Sequence, residues 1–435
     1  MIKRTKRMLV ISFDCLSSLD VPFLQSLSQF QSLFKEGAYA RQVKTVYPSL
    51  TYPCHTTLVT GNYPKKHGII NNTLLQPGRD SPDWNWFRKN IKGTTLYDEA
   101  KKAGFTTASL LWPVTGGASI DYNLPEIFPN RPWQSQTFVS LKNGSPLFQW
   151  QLNKKFGYIR QGLSQPALDD FVLASAIHTI HSIQPELMFI HFTDLDTQRH
   201  MHGFSSPQAT DALLRHHLRL ENIISALKNV NLYEETTLIL LGDHSALDEN
   251  KAIHVNTAFK DNGLIRINKR GKLKDWKAFC KSCDGSAYIY VKDKNDYDIT
   301  ETVHSILSRL TANPDNGIEN IYSATEAASF GADPNCLYML EASKGFYFLE
   351  DCDGEYVKTI TREDVCTDKK YTFATHGYSP EKDNYTTFFM AVGPGIQSGQ
   401  VIPHMHLVDV APTLAELLGV SLGDTDGRIL SELLN

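Results

Sequence analysis

Residues 8–14 read MLVISFD, and this run decides how the rest of the chain is read. Six apolar or small side chains are followed at once by an acid, the pattern of a strand buried on both faces that stops at an aspartate. Outward along the chain, LMFIHFTDLD at 187–196 and TLILLGDH at 237–244 repeat the pattern. Thr106–Trp112 and Thr387–Val392 give two more strand-like runs. Between them lie helical patterns at Val21–Glu36, Thr95–Ala103, Ala167–Ile183, Pro207–Lys228 and Val408–Leu418. Several of these stop at a glycine (Gly37, Gly104, Gly419), the residue that takes a left-handed helix terminus without strain. Buried strands alternating with helices predict an α/β fold, its sheet mostly parallel and covered by helices on both faces.

Composition bounds what this fold is used for. At 435 residues two or three domains are expected. The α/β rhythm breaks between residues 252 and 369, where elements shorten, charge rises and five of the seven cysteines fall. We therefore place the core at 1–251 and 370–435, with a smaller α+β domain inserted at 252–369. A looser excursion covers Gln76–Lys92 and Asn123–Gly162, rich in Trp, Pro and Asn. The net charge of −4 argues against a nucleic-acid groove, which needs a strong positive excess. Seven sparse cysteines without scaffold spacing suit a reducing compartment. Lys3, Arg4, Lys6 and Arg7 look like a signal-peptide start, but the apolar run ends at Asp14. No window approaches the ~18 apolar residues of a membrane span. The expectation is a cytoplasmic protein.

Three acids fall at strand ends: Asp14, Asp196 and Asp243. In an open parallel sheet ligands bind outside the carboxyl ends of the strands. Three carboxylates gathered there repel one another unless a cation sits among them. Each acid alone could be a turn former. Histidines sharpen the case: Asp196 and His200 share a face if their segment is helical, His244 adjoins Asp243, and His376 precedes a glycine where the core resumes. Mixed Asp/His donors without thiolate suit zinc or manganese at a catalytic site. His202, His254, His404 and His406 have no acid at ligand spacing and are read as structural or surface residues. The hydroxyl-rich stretch YPSLTYPCHTTLVTGNYPKKHGIINN, residues 47–72, holds Thr51 just before a helix-like run. There its hydroxyl is either a helix cap or a nucleophile placed where amides favour an anion.

The motifs FD at Asp14, YPSLTYPCHTTLVTGNYPKKHGIINN, DLDTQRHMHG, GDH and THGY, in this order, resemble the nucleotide pyrophosphatase/phosphodiesterase family of the alkaline phosphatase superfamily. The resemblance runs from near residue 8 to near residue 419 and points to the bacterial branch, since the secretion signal and cysteine-rich regions of animal members are missing. It implies an alkaline-phosphatase-like core with two divalent metal ions, zinc by family habit. Asp14, Thr51, Asp243 and His244 would hold one ion; Asp196, His200 and His376 would hold the other. Thr51 matches the nucleophile, which would form a covalent phosphothreonine. Asn72 matches a donor to a phosphoryl oxygen, and Tyr52 an aromatic against which a base can stack. The substrate would be a small phosphodiester or nucleotide.

Two departures stand out: Arg199 replaces the usual glycine before the ligand histidine, and Ser245 follows GDH. Arg199 could pair with Asp194 or touch a substrate anion. A sulfatase is rejected, because TYPCH lacks the Cys/Ser-x-Pro-x-Arg segment. A phosphomonoesterase or phosphonate hydrolase shares the same ligands, and Arg199 or Lys65 would then serve a dianion. A non-catalytic metal or nucleotide binder predicts decay at the nucleophile or a ligand, and every position is intact. Cys280 and Cys283 form a lone C-x-x-C without a second pair. Trp112, Phe128, Trp133 and Trp150 are read as packing residues, with one aromatic opposite Tyr52 a candidate for a base slot.

Overall fold

The computed structural model describes residues 3–435. Eight strands form the main sheet, in the order Val401–His406, Ala38–Lys44, Thr387–Val392, Thr236–Leu241, Arg7–Phe13, Leu187–Phe192, Thr107–Leu110 and Tyr122–Leu124. Each expected strand is there. The central three pair in parallel, Met8 lying opposite both Leu187 and Thr237. That register brings Asp14, Thr193 and Asp243 level at one edge, where the Asp14 amide donates to Phe192 O at 2.8 Å.

Period-two alternation divides the core. Met8 and Val10 face a cluster with Cys54, Leu58, Leu96 and Leu414, contributed by helices Thr51–Thr60, Leu96–Lys102 and Val410–Leu418. Leu9, Ile11 and Phe13 face the helices Ser28–Glu36, Ala167–Ser182 and Pro207–Asn229. The Val21–Glu36 pattern is broken into Val21–Leu24 and Ser28–Glu36. Gly37 is not a left-handed stop: its φ is −106°, and the glycine is needed because a Cβ there would lie 2.4 Å from Val392 Cγ2.

One strand departs from the parallel rule. Thr387–Val392 runs antiparallel to both neighbours, Ala38–Lys44 and Thr236–Leu241. Its chain arrives from His376 at the carboxyl edge, so it enters the sheet from that edge and must run the opposite way. Ala38–Lys44 and Val401–His406 escape a sequence reading because both carry polar side chains at the rim of the sheet.

Strands between Leu247 and Thr375 build three smaller sheets. An antiparallel sheet orders Ala278–Cys283, Ser286–Val291, Tyr338–Ala342 and Ile318–Ser323, with helix Tyr297–Thr311 packed on it. Leu247–Ile253 pairs with Gly345–Phe348, Val357–Thr359 and Ala374–Thr375. A boundary at 252 and 369 therefore cuts through that sheet, whose strands extend a few residues to each side. Cys280 and Cys283 point to opposite faces of their strand, into two different apolar clusters, and all seven cysteines are free. Among the described residues no helix is long and apolar enough to cross a membrane.

Candidate functional site

The level carboxyl edge delivers the acids to one buried place. Asp14 is 3% exposed and Asp243 fully buried. Asp243 Oδ1 accepts from the Cys15 amide at 3.1 Å, while its Oδ2 lies 3.1 Å from His244 Nε2. Asp14 Oδ1 lies 3.3 Å from the same nitrogen. Thr51 Oγ1 also lies 3.3 Å from it. His244 Nδ1 faces Ser245 O at 3.2 Å, which turns Nε2 toward the two acids and the threonine.

A second cluster adjoins the first. Asp194–His202 is a helix, so Asp196 and His200 do share a face, with Oδ2 3.2 Å from Nε2. His376 Nε2 lies 3.8 Å from Asp196 Oδ1, and the His376 ring stacks on His244 with centroids 3.9 Å apart. His200 Nδ1 faces Ala374 O at 2.8 Å, which leaves Nε2 for the site. Gly377, at φ +84°, lets the His376 loop press against the Cys283–Ser286 hairpin; any Cβ would sit 1.8 Å from Cys283 O.

Donor atoms of Asp14, Asp243 and His244, and of Asp196, His200 and His376, each lie within 4.8 Å of one another. Asp14 Oδ1, Asp243 Oδ2, Asp196 Oδ1 and His376 Nδ1 are buried without a hydrogen bond. Buried polar atoms are nearly always partnered, so oxygens left bare around imidazole nitrogens fit a cation rather than a packing role. The electrostatics agree. Burial, then the nearby Asp196, pushes the Asp14 carboxyl up to about 6. Burial and Asp14 push Asp243 well above its ordinary value. Cys15 also approaches Asp196 and His244, and burial pushes its thiol well above the usual value.

Thr51 opens its helix but does not cap it. Leu50 occupies the cap with no side-chain bond, and Pro53 brings no N–H. Asn72 Oδ1 accepts from the Tyr52 amide at 2.9 Å, which fixes the orientation of the Asn72 amide and frees its Nδ2 donors. The Thr51 amide has no protein partner among the described residues. This helix start therefore retains two donors, Thr51 N–H and Asn72 Nδ2, beside the hydroxyl.

Tyr52 is not free to stack a base. It is fully buried, its hydroxyl donates to Glu126 Oε1 at 3.0 Å, and Trp84 covers it edge-on at 5.2 Å. Phe128 packs against Trp84 and Trp86 behind it. Trp112 is core, whereas Trp133 and Trp150 stand exposed. Arg199 is buried and pairs with Asp20 at 2.6 Å, not with Asp194. Asp194 is taken by Arg215 and Arg219. Arg199 also donates to Cys15 O and lies 3.7 Å over the Phe204 ring.

A layer behind the acids goes unread in the sequence. His191 bridges Asp14 Oδ2 and Glu126 Oε2, each at 3.1 Å, both ring nitrogens facing carboxylates. Burial opposes its charge, but the two acids raise its pKa well above the usual value. His55 faces Thr51 O at 2.8 Å and Ser12 Oγ at 2.9 Å. A histidine inside the apolar run FIHF was the available signal for His191; Glu126 offered none.

Comparison with known proteins places the fold and the family. The family described as type I phosphodiesterase / nucleotide pyrophosphatase matches residues 8–379. Human ectonucleotide pyrophosphatase/phosphodiesterase family member 5 is 21% identical over 451 residues, covering 99% of this chain and 78% of that protein. Rat family member 7 is 20% identical, covering 97% and 85%. Human family member 1 is 26% identical over 254 residues, 55% of this chain but only 24% of that longer protein. The solved structure of murine ectonucleotide pyrophosphatase / phosphodiesterase 5 superposes with a TM-score of 0.67 at 20% identity, covering 99% of this chain and 100% of that one. An inactive variant of the murine protein, in complex with AMP, gives the same score. The fold is theirs, and the chain belongs to the type I phosphodiesterase / nucleotide pyrophosphatase family.

Proposed function

We propose that this chain hydrolyses phosphodiester or phosphoanhydride bonds of small molecules, nucleotides among them, through a covalent phosphothreonine at Thr51. The observation that carries the reading is the position of the Thr51 hydroxyl, at a helix start with two free donors and 3.3 Å from His244 Nε2. Asp14, Thr51, Asp243 and His244 would hold one divalent cation and Asp196, His200 and His376 another, zinc or manganese by donor type. Such ions supply charge neutralisation at phosphorus and a lowered pKa at the attacking hydroxyl.

The rest is done by the chain. Thr51 Oγ attacks phosphorus in line and gives up its proton to solvent, while the leaving oxygen departs on the opposite side and takes a proton from water. As charge builds on a non-bridging oxygen, Thr51 N–H and Asn72 Nδ2 donate to it. His55, facing the Thr51 carbonyl, holds the first turn still. Water then attacks the phosphothreonine diester and frees the hydroxyl. The segment 252–369 forms a cap over this edge, its hairpin at Cys283–Ser286 pressed against the His376 loop.

Charge favours a monoanionic substrate. Four carboxylates, buried at Asp14 and Asp243 and half-buried at Asp196 and Glu126, against the His191 imidazolium leave a deficit that two divalent cations would slightly over-compensate. The two cations considered for a dianion are engaged elsewhere: Arg199 with Asp20, and Lys65 Nζ with Ala328 O at 2.8 Å. The test compares an aryl phosphodiester with the matching phosphomonoester on one zinc-loaded preparation. The expected diester preference is about a hundredfold or more in kcat/KM, ~3 kcal/mol of transition-state discrimination. A monoester preference overturns the substrate assignment and moves the chain to the phosphatase or phosphonatase reading.

A further inference from the structure

Between Glu126 and Asp169 the chain carries no acid, although the whole is net negative. The same stretch contains six of the fifteen large apolar side chains left exposed among the described residues: Trp133, Phe138, Leu147, Trp150, Tyr158 and Leu163. Trp133 and Tyr158 are 81% and 83% exposed. Large apolar side chains scattered singly need no explanation, but such a concentration does.

The local structure organises them. The helix Pro146–Phe156 buries Phe148, Gln149 and Leu152 and turns Leu147, Trp150 and Lys154 outward on one stripe. Lys154 Nζ sits 5.1 Å over the Trp150 ring, so ring and charge are presented together. The preceding helix, Gln136–Asn143, exposes Phe138 and, one turn on, Lys142. Trp133, Phe138 and Lys142 line one cavity of about 490 Å³ beside Phe128 and Trp86. Of the five cations in the stretch, Arg131 is paired with Asp83 and Arg160 lies half-buried against Phe171. Lys142, Lys154 and Lys155 are exposed, with no carboxylate within ion-pair distance among the described residues.

We infer that these two helices and the turn after them dock on an anionic phospholipid bilayer. Aromatic rings at the interface with lysines beside them match a surface that is apolar inside and negative outside. A second copy of the chain fits poorly, because a two-fold contact sets the same unpaired lysines against each other. Nucleic acid is a weaker match, because Leu147 and Leu163 offer nothing to a base or phosphate. The inference is independent of which ester is cleaved.

The experiment sediments the full chain with vesicles of phosphatidylglycerol and phosphatidylcholine, and separately with phosphatidylcholine alone. Binding to the anionic vesicles at low salt is expected, with a loss of most of it at about 0.5 M salt, where screening is nearly complete. Replacing Lys142, Lys154 and Lys155 by Gln together weakens partition about a hundredfold, near fivefold for each lysine. Leu147→Ser with Trp150→Ser weakens it comparably, while hydrolysis of a soluble aryl diester stays at the parent rate and reports an intact fold. Absence of sedimentation with anionic vesicles at low salt overturns the inference. So does binding that ignores the lysine substitutions. A lysine-dependent dimer, or oligonucleotide binding without vesicle partition, likewise assigns the face to another occupant.

Discussion

Arg199→Met separates a structural arginine from a substrate-binding one. The guanidinium sits where the family resemblance leads one to expect glycine, directly before His200, one of the proposed ligands. Methionine keeps an unbranched chain of similar length and loses every donor. Asp20 Oδ1 then loses a 2.6 Å partner while 7% exposed; Cys15 O loses a donor; Phe204 loses the cation over its ring. Asp20 Oδ2 keeps the Ser17 amide at 2.9 Å, too little to hold a buried charge alone. Removing one partner of a buried pair costs about 3–5 kcal/mol. At about 2–4 °C per kcal/mol for a domain of this class, calorimetry should show the melting temperature falling on the order of 10 °C. Adding Asp20→Asn removes the orphaned charge and should recover about half of that. Because the arginine touches neither Thr51 nor a ligand atom, kcat/KM for an aryl diester at 25 °C should stay within about tenfold of the parent. An unchanged melting temperature combined with a KM about a hundredfold higher would falsify the structural assignment and put Arg199 against the substrate anion.

Thr51→Ala should abolish turnover while most of the metal, counted by emission spectroscopy, stays bound; a variant retaining full activity sinks the nucleophile. Asn72→Ala removes one donor to the developing charge, and its kcat should fall about 10²–10³-fold with KM little moved; a change confined to KM contradicts the role. Asp194 supplies a pH dependence. Burial opposes its ionisation, but Arg215, His216 and Arg219 outweigh it and bring the carboxyl down to about 2. A depressed carboxylate stabilises above its unfolded pKa and loses that contribution as pH falls through the folded one. Acid melting curves should therefore lose about 2 kcal/mol between pH 4 and pH 2, and Asp194→Asn should flatten that loss; identical acid curves for the two proteins count against it.

What could be read from the sequence follows the range of the forces involved. Strands such as MLVISF and TLILL announce themselves because both faces are buried and every side chain must be apolar. The acids Asp14, Asp196 and Asp243 stand out by contrast, since ionised groups beside such runs are otherwise penalised. Ala38–Lys44 reads AYARQVK and carries no such signature, because its polar side chains face solvent near the sheet rim. The antiparallel entry of Thr387–Val392 is likewise invisible: six apolar residues have no direction. Tyr52 shows a different limit. A motif places an aromatic beside Thr51, but whether its face is open depends on Trp84 and Glu126, distant in sequence and lying in the irregular excursions.

The bridge through His191 explains why that limit falls where it does. Asp14 has two carboxylate oxygens and two demands on them. Oδ1 is bare and turned toward His244 Nε2, while Oδ2 is engaged by His191 at 3.1 Å. A carboxylate so divided cannot rotate to present both oxygens to one ion, and groups behind a metal ligand commonly set its orientation and basicity in this way. Glu126 holds the other ring nitrogen and takes the Tyr52 hydroxyl as well. Through Glu126 the residue next to Thr51, the imidazole and the first acid form one connected set, drawn from four separate segments of the chain. Its members are two acids, a histidine and a tyrosine of unremarkable spacing, so only the folded geometry distinguishes them from polar side chains that face solvent. The acids that face a ligand are legible because the sheet edge collects them; the groups that aim those acids come from loops, and loops obey no period.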